Sequence, residues 1–167
     1  PPHIIGLLCL QTAKQGGISR TISFPSAHNE MLRRYGEYLP RLYRPYYFDR
    51  QREHAPGDVK TTFHPLFANE SGALVARLSH FQVVNGYVLA GEEFDAHGAA
   101  ALDALEGILN EPTMWKDFIF EPGQIQFLDN RRCGHKRTAF VDHHAPERKR
   151  RLVRLWLRNS GRPFYNG

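Results

Sequence analysis

At 167 residues with 41% apolar and 12% aromatic content, the chain can build one domain with a genuine core, which excludes a disordered segment. Its two cysteines, Cys9 and Cys133, form no disulfide framework and suit a reducing cytoplasm, and no apolar run approaches the roughly 20 residues of a membrane span. A formal net charge of +5 admits an anionic ligand or a nucleic acid without choosing between them. The opening "PPHIIGLLCL" enters a buried-type strand almost at once and has no Met, as a domain entered partway would. Within it, "IIGLLCL" (4–10) is a continuous apolar run suited to a strand covered on both sides. "QGGIS" breaks it and "RTISF" (20–24) resumes. Ser26 is then the expected cap of a short helix through "HNEMLRRYG", stopped by Gly36. "YYFDRQ" follows as a strand, and "TTFHPLFAN" and "GALVARLS" flank "ESG" as a hairpin signal. "SHFQVVNGY" has a loop-like character, and His80, Phe81 and Asn85 within it are candidates for a substrate-facing wall.

The strongest helix signal is "DAHGAAALDALEGILN" (95–110), with Asp95 or a neighbour as cap and Ala101, Leu102, Leu105, Ile108 and Leu109 as its apolar stripe. "WKDFIF", the turn "EPGQ", "IQFLD", "RTAFVD" and "RLVRLWL" complete the set. Many short strands with turn signals and one main helix predict a β-sandwich or jelly roll with helices packed outside.

Alternation along the last strand puts Arg150, Leu152, Arg154 and Trp156 on one face and Arg151, Val153, Leu155 and Leu157 on the other. Cations interleaved with large apolar groups suggest guanidinium groups in a partly apolar cavity. Such groups need an anion, because arginine cannot shed its charge, and a carboxylate matches the planar fork. Ion pairs with the protein's own Asp or Glu are the structural alternative. His135, between two strand-like runs and 15 residues before Arg150, adds a metal-ligand type. A metal ligand beside a carboxylate-binding arginine is the arrangement that chelates a 2-oxo acid at one end and clamps it at the other. A purely structural histidine is the alternative reading.

Together, "GLLCLQTAKQGGIS", "PSAHNEML", "EPGQIQFLDNRRCGHKRTAF" and "RKRRLVRLWLR" resemble the taurine dioxygenase (TauD/TfdA) family, in its clavaminate-synthase-like branch, in order and over nearly the whole chain. The resemblance implies one catalytic domain over residues 1–167, mainly β with flanking helices: a double-stranded β-helix, or jelly roll, incomplete at its N-terminus. It implies an Fe(II)-dependent dioxygenase with 2-oxoglutarate as cosubstrate, acting with O2 on a C–H bond of a small molecule, amino-acid-like or a specialised metabolite. His135 then matches the distal iron ligand, and Arg150 the arginine that pairs with the far carboxylate of 2-oxoglutarate. Arg154 matches a second arginine near cosubstrate and substrate. Ser19, after Gly16 and Gly17, matches a hydroxyl that helps bind the same carboxylate.

The family's remaining ligands lie in a His-x-Asp motif a few residues before the "GLLCL" run, so its Asp is expected at or immediately before Pro1. "DAH" at 95–97 and "DHH" at 142–144 have the wrong order or place. The chain is therefore expected to be the C-terminal part of a longer cytoplasmic enzyme, with no nucleic acid or membrane as partner and its oligomeric state open. A partner-binding remnant of the fold, a halogenase in which Gly or Ala replaces the missing Asp, and a basic nucleic-acid module using "ERKRRLVR" and the tyrosines of "RLYRPYYF" are the alternatives. Cys133, His135, His143 and His144 match no standard zinc spacing.

Overall fold

The computed structural model describes residues 2–158. Along the chain run β1 (Ile4–Gln11), β2 (Gln15–Gly16), β3 (Ser19–Ser23), α1 (Phe24–Arg34), α2 (Leu39–Leu42), β4 (Pro45–Asp49), β5 (Thr61–Pro65), β6 (Phe67–Glu70) and β7 (Ala73–Ala76). Then come α3 (His80–Ala90), α4 (Ala96–Leu109), β8 (Trp115–Phe118), β9 (Ile125–Asp129), β10 (Cys133–Arg137), β11 (Phe140–Val141) and β12 (Arg151–Leu157). The architecture is mainly β, as the strand signals imply. The described residues divide into two units, one of residues 24–114 and one of residues 2–23 with 115–158. The position expected for the His-x-Asp carboxylate, at or before Pro1, lies outside the described residues.

The 24–114 unit holds the helices and two hairpins, β4–β5 and β6–β7. At the "ESG" turn Ser71 and Gly72 both take positive φ, 52° and 81°, the backbone that matches the twist of a tight hairpin. Helix α4 follows its sequence pattern closely. Asp95 caps it, its Oδ1 accepting the Gly98 N–H at 2.6 Å, and Ala101, Leu102, Leu105 and Ile108 are buried.

Two expectations fail here. Helix α1 begins at Phe24, so Ser26 lies in its first turn rather than at its cap. Burial of Phe24, Ala27 and Met31 on one helical face draws the start back by a residue or two. The segment read as a loop is helix α3, whose Ser79 cap accepts the Gln82 N–H and whose C-terminus ends on Gly91 at φ 69°. Within it, Gly86 permits a close approach to β4: a Cβ there would lie 2.4 Å from the Tyr47 carbonyl oxygen.

The other unit is a pair of three-stranded antiparallel sheets, β12-β1-β9 and β10-β3-β8, with a small β11-β2 pair. In the first, Leu7 lies between Arg154 and Gln126, and Cys9 lies opposite Leu152. In the second, Ser19 lies opposite Arg137 and Phe118, and Thr21 opposite His135 and Lys116. A hydrogen bond from Ser19 Oγ to Gln126 Oε1 crosses from one sheet to the other, so the two lie face to face. The inward rows include the buried Ile5 and Cys9, whereas Ile125, Phe127, Val153 and Leu155 on the opposite face of the first sheet are exposed. Strand β12 itself does not follow that division: only Leu152 is half-buried, while Arg154 and Trp156 on the inward row are as exposed as Val153 and Leu155 on the other.

Candidate active site

His135 sits inside strand β10 rather than in a link between strands. The run "CGHKR" has little strand propensity of its own, and its pairing with β3 imposes the conformation. Directly opposed residues share a face, so His135 and Thr21 project together, as do Arg137 and Ser19. The imidazole is half-buried. Burial, and secondarily the positive charge of Arg154, hold its pKa below the ordinary value, so at neutral pH it is the uncharged form that can ligate a metal.

Arg154 reaches this region from β12, its guanidinium carbon 5.8 Å from the Trp156 ring centroid. Arg150 precedes the strand. Its backbone N–H donates to Asp142 Oδ1 at 2.7 Å, and its guanidinium carbon lies 5.5 Å from the Phe140 ring, which Arg137 approaches at 4.3 Å. Gly17, at φ +73°, leaves room for it: a Cβ there would lie 3.2 Å from Arg150 Nε. Burial and then repulsion from Arg137 lower the Arg150 pKa, though a guanidinium stays charged throughout the physiological range. Arg150 lines a cavity of about 300 Å³ together with Cys9, Gly16, Gly17, Phe120 and Leu152. Among the described residues neither Arg150 nor Arg154 forms a salt bridge with an Asp or Glu. Asp142 acts on the Arg150 guanidinium from a distance but makes no ion pair with it, so this cation against an apolar wall keeps its fork open to an external anion.

Ser19 is 5% exposed and donates its hydroxyl to Gln126 Oε1 at 3.1 Å. It does not line the Arg150 cavity, whose wall reaches Ile18. The structure therefore places His135 within electrostatic reach of Arg154, Ser19 on Gln126, and Arg150 in the cavity next to Gly17. Gln126 was missed at sequence level. Its signal is a polar side chain in the inward position of "IQFLD", where strand alternation calls for an apolar one.

No group of three His, Cys, Asp or Glu able to hold a metal occurs among the described residues, so these offer the neutral His135 as a single ligand and make no zinc site with Cys133, His143 and His144. The other sequence candidates are engaged elsewhere, within the 24–114 unit. His80 Nε2 and Asp103 Oδ1 are 3.0 Å apart, and Asn85 Nδ2 donates to Asp49 at 2.6 Å. Phe81 stands out from α3, 66% exposed. Tyr46, in the run considered for base stacking, is fully buried beneath Arg41, which pairs with Asp95 at 2.7 Å. None of the described helices is long and apolar enough to cross a membrane.

Residues 1–156 match the family described as taurine catabolism dioxygenase TauD, TfdA family. The chain belongs to the TauD/TfdA family. Among curated relatives, FR-33289 synthase of Streptomyces rubellomurinus is 32% identical over 168 residues, covering 98% of this chain and 49% of the relative. The taurine hydroxylase-like protein SAT17 of Stachybotrys chartarum is 29% identical over 157 residues, covering 92% of this chain and 39% of the relative. This TauD/TfdA chain thus spans about half, or less, of the length of the curated relatives it matches. Of solved structures, asparagine oxygenase in complex with Fe(II), 3-hydroxyasparagine and succinate superposes with a TM-score of 0.72 at 18% identity, covering 93% of this chain and 45% of that one. The non-heme iron oxygenase OrfP in complex with Fe superposes at 0.66 and 18% identity, covering 95% and 47%. At these identities the likeness is one of fold, and it agrees with the jelly roll read from the strands.

Proposed function

We propose that this TauD/TfdA chain is part of the catalytic domain of an Fe(II)- and 2-oxoglutarate-dependent dioxygenase that hydroxylates a C–H bond of a small molecule and releases succinate and CO2. The observation that carries the reading is Arg150, a cavity-lining guanidinium with no acidic ion-pair partner among the described residues. Its planar fork suits the far carboxylate of 2-oxoglutarate. Bound Fe(II) supplies the redox chemistry by which O2-driven decarboxylation of 2-oxoglutarate is coupled to oxidation of the substrate.

His135 fits one position of a two-histidine, one-carboxylate iron site through a ring nitrogen, and the other ligands would come from outside residues 2–158. Arg154, close enough to His135 to depress its protonation, is suited to an anionic group of cosubstrate or substrate. Ser19 is read as a carboxylate-binding hydroxyl on the family resemblance alone; here its hydroxyl is held by Gln126, outside the Arg150 cavity wall. The substrate is amino-acid-like or a specialised metabolite, a reading supported by the asparagine oxygenase neighbour and its bound 3-hydroxyasparagine. Two unpaired cysteines suit a cytoplasmic enzyme.

The test is an anaerobic titration of the intact protein carrying this chain, with Fe(II) and then 2-oxoglutarate, followed by the metal-to-ligand absorption of the chelate. A saturable band is expected. Failure of 2-oxoglutarate to bind, by absorption and by calorimetry, overturns the proposal.

A further inference from the structure

Arg150 stands just beyond the last rung of its sheet. The β1–β12 ladder runs from Ile4↔Leu157 to Cys9↔Leu152, then shifts register and closes on Gln11↔Arg151. Leu10 is thus an extra residue on β1, and a bulge of this kind leaves a residue unpaired and disrupts the ladder locally. The sheet alone therefore holds the start of β12 loosely, at the point where the Arg150 side chain departs. The segment before the strand supplies what the ladder lacks. Asp142 Oδ1 accepts the Arg150 N–H at 2.7 Å and the His143 N–H at 3.2 Å. Gln11 Nε2 donates to the Glu147 carbonyl at 2.6 Å, which ties the turn Pro146–Arg148 to the end of β1. A backbone N–H bonded to a carboxylate makes a charge-assisted hydrogen bond, about twice as strong as a neutral one. Asp142 and Arg150 are both half-buried, so water competes for it only in part.

We infer that Asp142 is a positioning residue for Arg150, a clasp across residues 142–150 that fixes where the guanidinium enters its cavity. The same bond settles what the Asp142 charge does. An acid this near could close on the guanidinium and take the place of an external carboxylate. Turned instead to the backbone N–H groups of Arg150 and His143, it makes no ion pair with the side chain and leaves the fork open. The inference rests on the reading of Arg150 as the residue that binds the far carboxylate of 2-oxoglutarate.

The variants Asp142→Asn, Asp142→Ala, Arg150→Ala and the double variant Asp142→Ala/Arg150→Ala in the intact, Fe(II)-loaded protein test it. Binding of 2-oxoglutarate is followed by anaerobic calorimetry, thermal midpoints check folding, and KM for 2-oxoglutarate is compared with kcat. Asp142→Ala should weaken binding roughly 10-fold and raise KM to match, with kcat within about twofold of the parent. Asp142→Asn keeps an oxygen that accepts the Arg150 N–H, so it should stay within about threefold of the parent. The double variant should bind no more weakly than Arg150→Ala alone, since a clasp has nothing to position once the guanidinium is gone. Parental binding by Asp142→Ala would overturn the inference. So would an Asp142→Asn defect of roughly 10-fold, which is readable even if the alanine variant is too unstable to load. A full Asp142→Ala penalty that persists beside Arg150→Ala would mean general damage to the site and would overturn it too. If Arg150→Ala itself leaves affinity unchanged, the assignment of Arg150 to the carboxylate falls, and the inference with it.

Discussion

The His135 imidazole lies within electrostatic reach of the Arg154 guanidinium, two groups on separate sheets that are 19 residues apart in the sequence. Burial and that neighbouring charge act in the same direction on the imidazole. Both disfavour the protonated form.

Arg154→Gln should therefore raise the His135 pKa in the metal-free protein, followed by the imidazole resonances in an NMR titration. The linkage has a definite sign. Above the ordinary imidazole value of about 6.5, His135 is neutral in both folded and unfolded chains and contributes nothing to the pH dependence. As pH falls below it, the unfolded chain takes up a proton that the folded one resists, and stability is lost until the folded imidazole also titrates. The parent protein should thus lose more unfolding free energy between pH 7 and 5 than His135→Gln does, measured by denaturant titration.

Removing the imidazole tests its ligand role. His135→Ala should abolish iron-dependent turnover in the intact protein, while circular dichroism and the thermal midpoint report a folded domain. The side chain is only half-buried, so its truncation leaves no large cavity. Undiminished iron-dependent activity would exclude His135 as a ligand.

Arg150→Ala would leave a bound carboxylate without its charged partner beside the Cys9, Phe120 and Leu152 wall. By analogy with truncated buried charge pairs, the loss should be about 2–5 kcal/mol, or roughly 30- to several thousand-fold in 2-oxoglutarate affinity. Arg150→Lys should recover part of it, since an ammonium keeps the charge and loses the fork. Succinate should compete with 2-oxoglutarate in the parent and lose that ability in Arg150→Ala. An unchanged titration midpoint would transfer the role to another cation, with Arg154 first in line.

A fourth expectation concerns the scaffold alone. Gly86→Ala would bring a methyl group to 2.4 Å from the Tyr47 carbonyl and push α3 away from β4. Overpacking of this kind costs about 1–3 kcal/mol or more, so the melting midpoint should drop by several degrees. A midpoint equal to the parent's would show that helix and strand are less closely packed than described.

Helix α4 was legible because local pattern and tertiary environment agree there, in a capped 3.6-residue stripe that is buried, whereas β12 was legible from its sequence pattern and its pairing with β1, without an alternation in burial. Helix α3 was not. Its apolar residues Phe81, Val83, Val84, Val88 and Leu89 run round the helix without a clean stripe, although both caps, Ser79 and Gly91, were there to be read. Strand β10 was hidden for the opposite reason, as five mostly polar residues become a strand only by pairing with β3. In the site, Arg150 and Arg154 were visible through their conflict with apolar neighbours. Gln126 broke the same rule on another strand and went unread, because its partner Ser19 lies 107 residues away.

The ladder between β3 and β10 has a consequence for how this site can vary over time. It joins His135 to Thr21 and Arg137 to Ser19 rung by rung, and a slip of one residue turns every side chain of a strand to the opposite face. Substitution at the neighbouring positions changes one contact. A single-codon deletion inside Cys133–Arg137 or Ser19–Ser23 would instead turn the imidazole or the hydroxyl outward. Length can drift at lower cost between Asp142, whose Oδ1 holds the Arg150 N–H, and strand β12. Among descendants of this gene, the number of residues between His135 and Arg150 should therefore wander, while the number inside each paired strand stays constant.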